Sequence, residues 1–488
     1  MSVLSSFVLV IYTLCSLFIL VYGINTCVVI YLFLRKRKEV RLLPRTEVDA
    51  SVAMAEKDLP VVTTQIPLYN ELNVAERVIR AVAAIDYPHD KHEIQVLDDS
   101  DDETRELVDT VAAELSSKGH WVEVIRRKDR IGYKAGALQL GMEGCKGEYI
   151  AIFDSDFMPT PDFLKRTVPV LVKDERCALV QARWDHINQN DSWLTRAQAV
   201  GIDGHFVVEQ TARNRNGLFM NFCGTAGVWR RAAIEDSGNW EHDTVTEDLD
   251  LSYRAQLKGW KFHYMPDLLV PAELPTTYTA FKSQQYRWAK GSIQTARKML
   301  PRVWKAKLPI FTKWQATVHL THYALHFQMA LLALLILPLM LCFLNQDIPL
   351  YQSKIFLSLL VPAALGPTIG YAVCQYYGHP RHWKQRVLYL PFLLVIGFGI
   401  CLSNGKAVLE GLFGNDSTFV RTPKAGQKSI KQYCVKKNWV PRLEIGYAAY
   451  CLLTAAFLVV IGNLSMLPFV GTYTAGFALV GFNSIKEL

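Results

Sequence analysis

The sequence predicts an α/β domain, with a mixed and mostly parallel sheet, inserted between transmembrane α-helices. Three observations lead to this fold class. No charged residue occurs before Arg35, and the apolar run 6–34 is long enough to span a bilayer. Between about 42 and 310 the chain mixes charged and apolar residues and alternates strand and helix patterns. Further apolar runs of membrane length follow at 324–344, 355–373, 387–403 and 445–482.

Basic segments predict the topology of the apolar runs. "RKRKEVR" (35–41) directly follows the first run, so the positive-inside rule places this flank in the cytoplasm. The basic stretches 378–386 and 421–439 are expected on the same side, which requires an even number of crossings between them. We therefore predict five transmembrane helices, with 387–403 in the interface or re-entrant; a true crossing is the alternative. The net charge of +8 is largely accounted for by these juxtamembrane clusters, so no nucleic-acid partner is predicted.

The soluble segment reads as a regular alternation of strands and helices. Apolar, β-branched runs predict strands at 59–66, 93–99, 121–127 and 148–154. Helical patterns lie between them at 70–85, 102–117 and 134–145. Such an alternation implies right-handed βαβ units and a parallel sheet, whose ligands bind at the carboxyl ends of the strands. Polar residues collect at those ends, in "PLYNE" (67–71), "DDS" (98–100) and "DSD" (154–156).

Two carboxylates end the fourth strand. Asp154 and Asp156 are at positions i and i+2, so their side chains point the same way. Three interpretations compete: a divalent cation, a shared proton, or a solvated loop. A cation that bridges carboxylates and a diphosphate suits a site rich in Asp that has no P-loop and no G-x-G-x-x-G. An isolated D-x-D is more often a solvated turn, so the choice depends on the other motifs.

"TVTED" (244–248) stands immediately before a helical pattern. In one interpretation Thr246 or Asp248 only caps that helix. In the other, Asp248 is a general base that deprotonates an acceptor hydroxyl. Lys134, within "RIGYKAGAL" (130–138), adds a positive charge ahead of the strand that carries the two carboxylates.

"QQYRW" (284–288) brings an amide, a guanidinium and an indole together in an amphipathic stretch. One interpretation is a helix on the membrane surface, with Arg and Trp at the interface. In the other, Arg287 offsets the charge of a departing diphosphate and Trp288 presents an apolar face to a sugar.

The order of these motifs resembles the processive family-2 glycosyltransferases. The similarity is to cellulose synthase, hyaluronan synthase and especially the plant cellulose-synthase-like mannan and glucomannan synthases, over essentially residues 1–440. It rests on "PLYNE", "VLDDS", "GYKAGAL", "FDSDF", "VQARW", "TVTED" and "QQYRW". The resemblance implies a GT-A nucleotide-binding fold and an inverting hexosyl transfer from a nucleotide-diphospho-sugar to a growing β-linked polysaccharide.

The resemblance also implies residue roles and a metal. The expected contacts of the donor nucleotide are Pro67, Tyr69, Glu71, Asp99, Lys134 and Asp154. The expected ligands of Mg²⁺ or Mn²⁺ are Asp154 and Asp156. The expected catalytic residues are Asp248, as the base, with Glu247 and Thr246. The expected acceptor and leaving-group residues are Gln284, Arg287 and Trp288.

Two stretches depart from the family pattern. "FVRTPK" (419–424) is similar to the F-x-V-T-x-K gating loop of cellulose synthase and matches it at Phe419, Thr422 and Lys424, while Arg421 stands where Val is usual. Cys223 in "NFCGT" stands where the mannan branch usually has Asn and cellulose synthases have Cys. Because the motifs as a whole resemble the mannan branch most, the donor is expected to be GDP-mannose. Cys223 is the departure that gives UDP-glucose as the alternative.

The predicted organisation has six parts, and the protein is expected to be a multi-pass protein of a plasma, inner or Golgi membrane with a cytosolic catalytic domain. The parts are 1–41 (first transmembrane helix and basic flank), 42–279 (GT-A domain), 280–320 (interface helices with QQYRW), 321–377 (transmembrane pair), 378–441 (cytosolic or interfacial segment with the gating-like loop 419–424) and 442–488 (C-terminal transmembrane pair). Two other functions stay open: a glycosyltransferase for a ceramide or polyprenyl acceptor, and a transporter or scaffold with a nucleotide-sensing domain. The runs 324–344 and 445–461 contain no Asp, Glu, Lys or Arg, which argues against a transporter core.

Overall fold

The computed structural model describes residues 3–43, 54–344, 351–414, 422, 424, 426 and 439–487, with side chains for all of these except 343 and 351–364. Within these ranges seven strands form one sheet, in the order β3-β2-β1-β4-β6-β5-β7. The strands are β1 (Val62–Leu68), β2 (His92–Asp98), β3 (Trp121–Ile125), β4 (Tyr149–Ile152), β5 (Cys177–His186), β6 (Gly227–Arg230) and β7 (Lys261–Ala272).

The first half of the sheet has the predicted parallel pairing. Strand β1 pairs in parallel with β2 and β4, and β2 pairs in parallel with β3. Strand β6 is antiparallel to both of its neighbours, whereas β5 and β7 are parallel to each other. The sheet is therefore mixed and mostly parallel, as predicted. Its central strands are rich in apolar residues because helices cover them on both faces.

Helices pack around the sheet, and further helices, many of them apolar, precede and follow the sheet in the chain. Those of the soluble segment are α2 (Ala75–Ala83), α3 (Thr104–Ser117), α4 (Tyr133–Gly144), α5 (Phe163–Lys173), α6 (Trp193–Asp203), α7 (Thr211–Arg215), α8 (Arg231–Asp236) and α9 (Glu247–Leu257). Helix α1 (Val3–Lys36) precedes them. The later helices are α10 (Tyr278–Lys305), α11 (Ile310–Thr321), α12 (Ala324–Leu344), α13 (Tyr351–Gly378), α14 (Trp383–Val387), α15 (Leu390–Gly399), α16 (Cys401–Phe413), α17 (Val440–Val460) and α18 (Leu467–Lys486). A π-helical segment, Gly204–Gln210, joins α6 to α7.

The register of the strands brings three chain segments to one edge of the sheet. Leu68 at the end of β1 pairs with Asp98 at the end of β2, and Gln65 pairs with Ile152 at the end of β4. The residues after β1, β2 and β4 therefore emerge side by side. Helix α2 begins at Ala75 rather than at the expected residue 70, because residues 69–74 form a loop at this edge after β1.

Four helices are long and apolar enough to cross a membrane among the residues that the structure describes, and a bent pair raises the number to five if it counts as one span. The four are Val3–Glu39, Ala324–Cys342, Val440–Val460 and Leu464–Lys486. The bent pair, Trp383–Gly399 and Cys401–Phe413, turns by 49° at its break and contains the run 387–403, so this run is not one straight helix. Whether it re-enters or crosses stays a prediction. The run 355–373 is helical within α13.

Helix α10, which carries QQYRW, connects the sheet to the apolar helices. Its N-terminus is capped by Thr277, whose hydroxyl accepts from the backbone of Ala280. Two residues before QQYRW, Lys282 forms a buried ion pair with Glu444 of α17, with the two charged atoms 2.7 Å apart. Helix α10 also packs against α11 and α16. The QQYRW helix is therefore held by contacts with α11, α16 and α17.

Candidate active site

A cleft opens at the edge of the sheet where β1, β2 and β4 end. Every predicted site residue that the structure describes lines it: Pro67, Tyr69, Glu71, Asp99, Lys134, Asp154, Asp156, Thr246, Glu247, Asp248, Gln284, Arg287, Trp288, Thr422 and Lys424. Phe419, the remaining predicted residue, lies outside the described residues. Groups separated by more than 300 residues in the sequence thus share one cavity. Parallel strands deliver the loops after β1, β2 and β4 to this edge, and the TED residues, α10 and residues 422 and 424 complete the lining.

One end of the cleft is built by the loops after β1 and β2. The side chains of Asn70 and Asp101 lock the two loops together: Asn70 Nδ2 donates to Asp101 Oδ1 at 2.7 Å, and the backbone N–H of Asp101 donates to Asn70 Oδ1 at 3.0 Å. Asn70 has a φ of +52°, a conformation that Asn tolerates better than most residues. This turn directs Tyr69 into the cleft.

Asp99, in the same end of the cleft, is held by two arginines that the sequence interpretation missed. Arg127 donates to both carboxylate oxygens, at 2.8 and 2.6 Å. Arg130 Nε lies 3.8 Å from Asp99 Oδ2, and its guanidinium lies 3.2 Å from the centre of the Tyr69 ring. Cation and aromatic ring stack at this distance. A planar, hydrogen-bonding ligand such as a nucleobase matches these groups in kind.

Lys134 lies in the middle of the cleft and contacts residues from three segments of the chain. Its ammonium donates to Asp154 Oδ1 and, at 2.8 Å, to the carbonyl of Gly224, and it lies 4.0 Å from Glu247 Oε1. Burial acts to lower the pKa of Lys134, but the carboxylates of Asp154 and Glu247 outweigh it and raise the pKa. Gly224 has a φ of +78°, and a Cβ there would lie 3.0 Å from Asp248 Oδ2. Glycine is required at this turn because the backbone adopts a left-handed conformation beside a carboxylate.

Asp154 and Asp156 offer the oxygen ligands that Mg²⁺ and Mn²⁺ prefer, and both line the cleft. Each also has a lysine partner: Lys134 for Asp154, and Lys424 for Asp156, at 2.6 Å. The residues therefore fit a cation site, but lysines already neutralise both carboxylates. The sequence favoured a divalent cation as the group that offsets the charges of Asp154 and Asp156. In the structure two lysines also offset these charges.

A different carboxylate cluster has the spacing of a metal site among the described residues. It consists of Glu241, Asp243 and Asp250 and does not include the predicted ligands. Lys298 of α10 contacts all three carboxylates, and Arg254 also binds Asp250. The cluster is therefore an ion-pair network that ties α10 to the start of α9, next to the TED residues.

The TED residues do not act mainly as a helix cap. Thr246 precedes α9, but its side chain makes no capping hydrogen bond; its hydroxyl lies 3.2 Å from that of Thr295 in α10. Asp248 Oδ1 accepts from the backbone N–H of Leu249 at 2.8 Å. Burial, reinforced by the neighbouring Glu247 carboxylate, raises the pKa of Asp248 to about 8. Burial raises the pKa of Glu247 as well. A carboxylate with a pKa near neutral pH has the properties of a general base.

QQYRW presents one helix face to the cleft. Gln284, Arg287 and Trp288 are at positions i, i+3 and i+4, which share a side of a helix. Arg287 Nη1 donates to the hydroxyl of Thr422 at 2.7 Å. Burial lowers the pKa of Arg287 to about 10, against the effect of surrounding carboxylates that include Asp154. The guanidinium is therefore a desolvated cation close to the two predicted metal ligands. This position agrees with the interpretation in which Arg287 offsets the charge of a diphosphate.

The structure adds cleft residues for which no role was predicted. Trp184 and His186 come from the end of β5, where "VQARWDH" places them at i and i+2. Glu273 follows β7 and pairs with Arg77 of α2 at 3.1 Å. The sequence contains a signal for the first two, since an aromatic and an imidazole alternate at the end of a buried strand. The pairing of β5 with β6 and β7 could not be predicted from local sequence patterns.

Comparison with known proteins supports the fold and the enzyme family. Residues 60–291 match the family model "Glycosyltransferase like family 2". Glucomannan 4-beta-mannosyltransferase 2 of Arabidopsis thaliana is 34% identical over 453 residues, which covers 88% of this chain and 82% of that protein. Probable glucomannan 4-beta-mannosyltransferase 9 of Oryza sativa subsp. japonica is 35% identical over 463 residues, which covers 90% and 84%.

A solved structure supports the fold. The mannosyltransferase PcManGT from Pyrobaculum calidifontis, determined in complex with GDP-Man and Mn²⁺, superposes with a TM-score of 0.52 at 18% identity, over 83% of this chain and all of that one. The predicted GT-A fold and the predicted nucleotide-sugar-dependent hexosyltransferase class are both confirmed. The chain belongs to the family-2 glycosyltransferases, in the cellulose-synthase-like group that contains the glucomannan 4-β-mannosyltransferases.

Proposed function

We propose that this chain is a membrane-embedded, inverting and processive β-glycosyltransferase that polymerises a β-mannan or glucomannan from GDP-mannose. The observation that carries the proposal is the shared cleft: predicted groups for the nucleotide, the diphosphate, the proton and the acceptor all line one cavity at one sheet edge. The named relatives are glucomannan mannosyltransferases that match most of the chain, which supports the mannosyl donor.

The donor would lie along the cleft from the loops after β1 and β2 towards α10. Tyr69 and Asp99 would contact the nucleobase end, where Arg127 fixes the orientation of the Asp99 carboxylate. Asp154 and Asp156 would hold the Mg²⁺ or Mn²⁺ ion. When bound, such an ion offsets the negative charge of the diphosphate. Lys134 and Arg287 supply two further positive charges in the same part of the cleft.

The reaction would form one glycosidic bond and break one bond to phosphate. The oxygen of the acceptor hydroxyl attacks the anomeric carbon of the donor sugar, and the bond from that carbon to the diphosphate oxygen breaks, so the configuration inverts. Asp248 takes the proton of the attacking hydroxyl. Arg287 stabilises the charge that develops on the leaving diphosphate. Because Arg287 is buried and fixed by Thr422, this stabilisation requires little reorganisation.

The acceptor would lie on the α10 side of the cleft, against Trp288 and Gln284. This helix is joined to α17 through the buried pair of Lys282 and Glu444, so the acceptor end of the site is next to the apolar helices. A polymer that grows there can leave along those helices. The six-part organisation given above and a cytosolic position of the catalytic domain belong to this proposal.

One observation favours a second donor. Cys223 lines the cleft at the position where cellulose synthases have Cys and the mannan branch usually has Asn. A UDP-glucose-dependent β-glucan synthase is therefore the second candidate. A lipid-acceptor glycosyltransferase would share the donor half of the site.

The test is incubation of the purified protein with GDP-mannose, UDP-glucose or GDP-glucose, each with Mg²⁺ or Mn²⁺. Long product from GDP-mannose that an endo-β-mannanase degrades supports the proposal. Product from UDP-glucose alone that a β-glucanase degrades establishes the second candidate. Label that partitions only into organic solvent indicates a lipid acceptor and overturns processive polymerisation.

A further inference from the structure

Trp184 is a cleft residue to which the proposed mechanism gives no role. It lies near the end of β5 and contributes to the cleft wall. Its indole packs against Phe157 and Phe206, with ring centres 5.0 Å apart in both pairs. Such aromatic pairs stabilise the position of the indole in the cleft wall.

The indole N–H of Trp184 has no hydrogen-bond acceptor among the residues that the structure describes, and it is shielded from solvent. Buried indole N–H groups normally find a partner, so an unpaired one requires an explanation. Within the described part of the chain, Gln284 Oε1 of QQYRW is also buried and lacks a donor. An unpaired donor and an unpaired acceptor thus line the same cleft.

Trp288 lies next to both groups. Its ring centre is 6.5 Å from that of Trp184, with the two planes inclined by 51°. Two indoles, an N–H donor and an amide acceptor together match a pyranose, which has apolar ring faces and hydroxyls that both donate and accept. A sugar would reach the two polar atoms by spreading the two indoles, since both atoms are closed off in the present geometry.

We propose that Trp184 forms a sugar-binding subsite with Gln284 and Trp288 for the end of the growing glycan, with the Trp184 N–H donating to one sugar hydroxyl and Gln284 Oε1 accepting from another. This inference rests on the proposed function for the identity of the polymer. It assigns to Trp184 of β5 a role in recognising the sugar at the end of the glycan, in addition to the residues of QQYRW.

The location of Trp184 favours the acceptor over the donor sugar. Phe206, which supports the indole, belongs to the π-helical segment Gly204–Gln210 that packs on α13; a Cβ on Gly204 would lie 2.6 Å from the ring of Tyr371. The nucleobase groups, Tyr69 and Asp99, belong to the loops after β1 and β2. The subsite is therefore built from elements that contact the apolar helices, where a polymer would leave.

The experiment compares Trp184→Phe with Trp229→Phe. Both variants keep an aromatic ring, and Trp229 is a matched control because its buried N–H is likewise unpaired among the described residues but it does not line the cleft. Binding of β-1,4-mannohexaose, of cellohexaose and of GDP is measured separately by calorimetry on detergent-solubilised protein with Mn²⁺. We expect Trp184→Phe to weaken binding of at least one hexaose by roughly 5–30-fold, with GDP binding unchanged. Trp229→Phe should bind all three ligands as the native protein does.

Other outcomes overturn the inference. Equal losses in both variants indicate packing alone, and a loss of GDP binding in Trp184→Phe assigns the residue to the donor. Wild-type protein that binds neither hexaose also excludes the subsite. Because binding is measured without turnover, a protein that binds a hexaose but uses no GDP-mannose refutes the proposed donor and leaves the subsite intact.

A second measurement does not need the Trp184 variant to fold. Monodeoxy forms of the bound oligosaccharide are tested on the wild-type protein, where we expect loss of affinity for two hydroxyl positions. If Trp184→Phe folds, it should be insensitive to one of these two positions. Uniform affinity across the deoxy series in the wild-type protein overturns the proposal.

Discussion

The ammonium of Lys424 lies 2.6 Å from Oδ2 of Asp156, although the two residues are 268 positions apart in the chain. Lys424 belongs to the stretch that resembles a gating loop, and Asp156 is one of the two predicted metal ligands. Lys424 is therefore a counter-charge for a carboxylate that a divalent cation would also bind. The ammonium and the metal should compete for this carboxylate.

Replacement of Lys424 by Met should strengthen Mn²⁺ binding to the donor-free protein by about fivefold, because the competing charge is removed. Titration of free Mn²⁺ by electron paramagnetic resonance measures this change. Lys384→Met is the matched control, since Lys384 is exposed in α14 and carries the same charge. Weaker Mn²⁺ binding in Lys424→Met contradicts the prediction. The assignment of the cation site itself fails if Asp156→Ala keeps metal-dependent donor binding.

Asp248→Asn should lower the rate of transfer by about 10²–10⁴-fold, because the amide cannot accept the proton of the acceptor hydroxyl. Binding of GDP should stay within about twofold of the wild-type value, since the substitution preserves shape and the nucleotide groups. Single-turnover transfer and calorimetry measure the two quantities. Asp243→Asn, at an exposed carboxylate of the neighbouring ion-pair network, serves as the control. Near-normal turnover by Asp248→Asn would remove this residue as the base.

The pH dependence of kcat/KM should have an acidic limb that reflects Asp248. Its pKa is raised to about 8 by burial and by Glu247, so the basic form increases as the pH rises towards that value. We expect the rate to fall up to about tenfold per pH unit below the pKa, and bound cation to shift this limb to lower pH. A pH-rate profile between pH 5 and about 9 checks the prediction. A flat profile through this range contradicts it.

The same group should make stability depend on pH. The folded-state pKa of Asp248 lies above its ordinary value near 3.8, so the folded protein binds the proton more tightly than the unfolded chain. Burial of this carboxyl therefore costs increasingly more as the pH rises from about 4 to about 8. Asp248→Asn should unfold about 2–4 °C higher than the wild-type protein at pH 8, with the difference vanishing near pH 4. Thermal unfolding in detergent at both pH values measures this.

Arg287→Lys should lower kcat by about 10²–10³-fold with a smaller change in the KM for the donor. The lysine keeps a charge but not the planar fork that reaches both Thr422 and a leaving diphosphate. Arg297→Lys, on the same helix, is the control, because Arg297 binds the carbonyls of Gly411 and Gly414 at the end of α16 rather than the cleft. Equal effects of the two substitutions would show that α10 itself had been disturbed.

Lys282 and Glu444 form a buried pair, so removal of one partner should be worse than removal of both. Glu444→Gln should lower the free energy of unfolding by about 3–5 kcal/mol, because it leaves a buried ammonium without its carboxylate. The double variant Lys282→Met/Glu444→Met should recover most of this loss. Thermal unfolding of the wild-type protein and of these two variants in detergent provides the comparison. If the double variant is as unstable as the single one, the pair is not the source of the effect.

Much of the fold followed from local pattern. Apolar runs with β-branched residues predicted β1 to β4, and the shifts of their ends are small because strand burial is a property of consecutive residues. The alternation of strands and helices then predicted that "PLYNE", "DDS" and "DSD" lie close together, since parallel strands place their carboxyl ends at one edge of the sheet. The predicted C-terminal pair of helices is also present: α17 and α18 are separated by a break near Gly462, where φ is +72°.

The sequence by itself predicted the residues that line the cleft, and strand periodicity and chain order determined that the loops after β1, β2 and β4 gather at one edge of the sheet. Only the tertiary structure decided how these charges pair: Lys134 with Asp154, Lys424 with Asp156, and Arg127 with Asp99. It also decided that Trp184, at the end of β5, lies beside Trp288 of α10, with ring centres 6.5 Å apart. Side-chain pairing between distant segments depends on how helices and strands pack, and no local period in the chain encodes that packing.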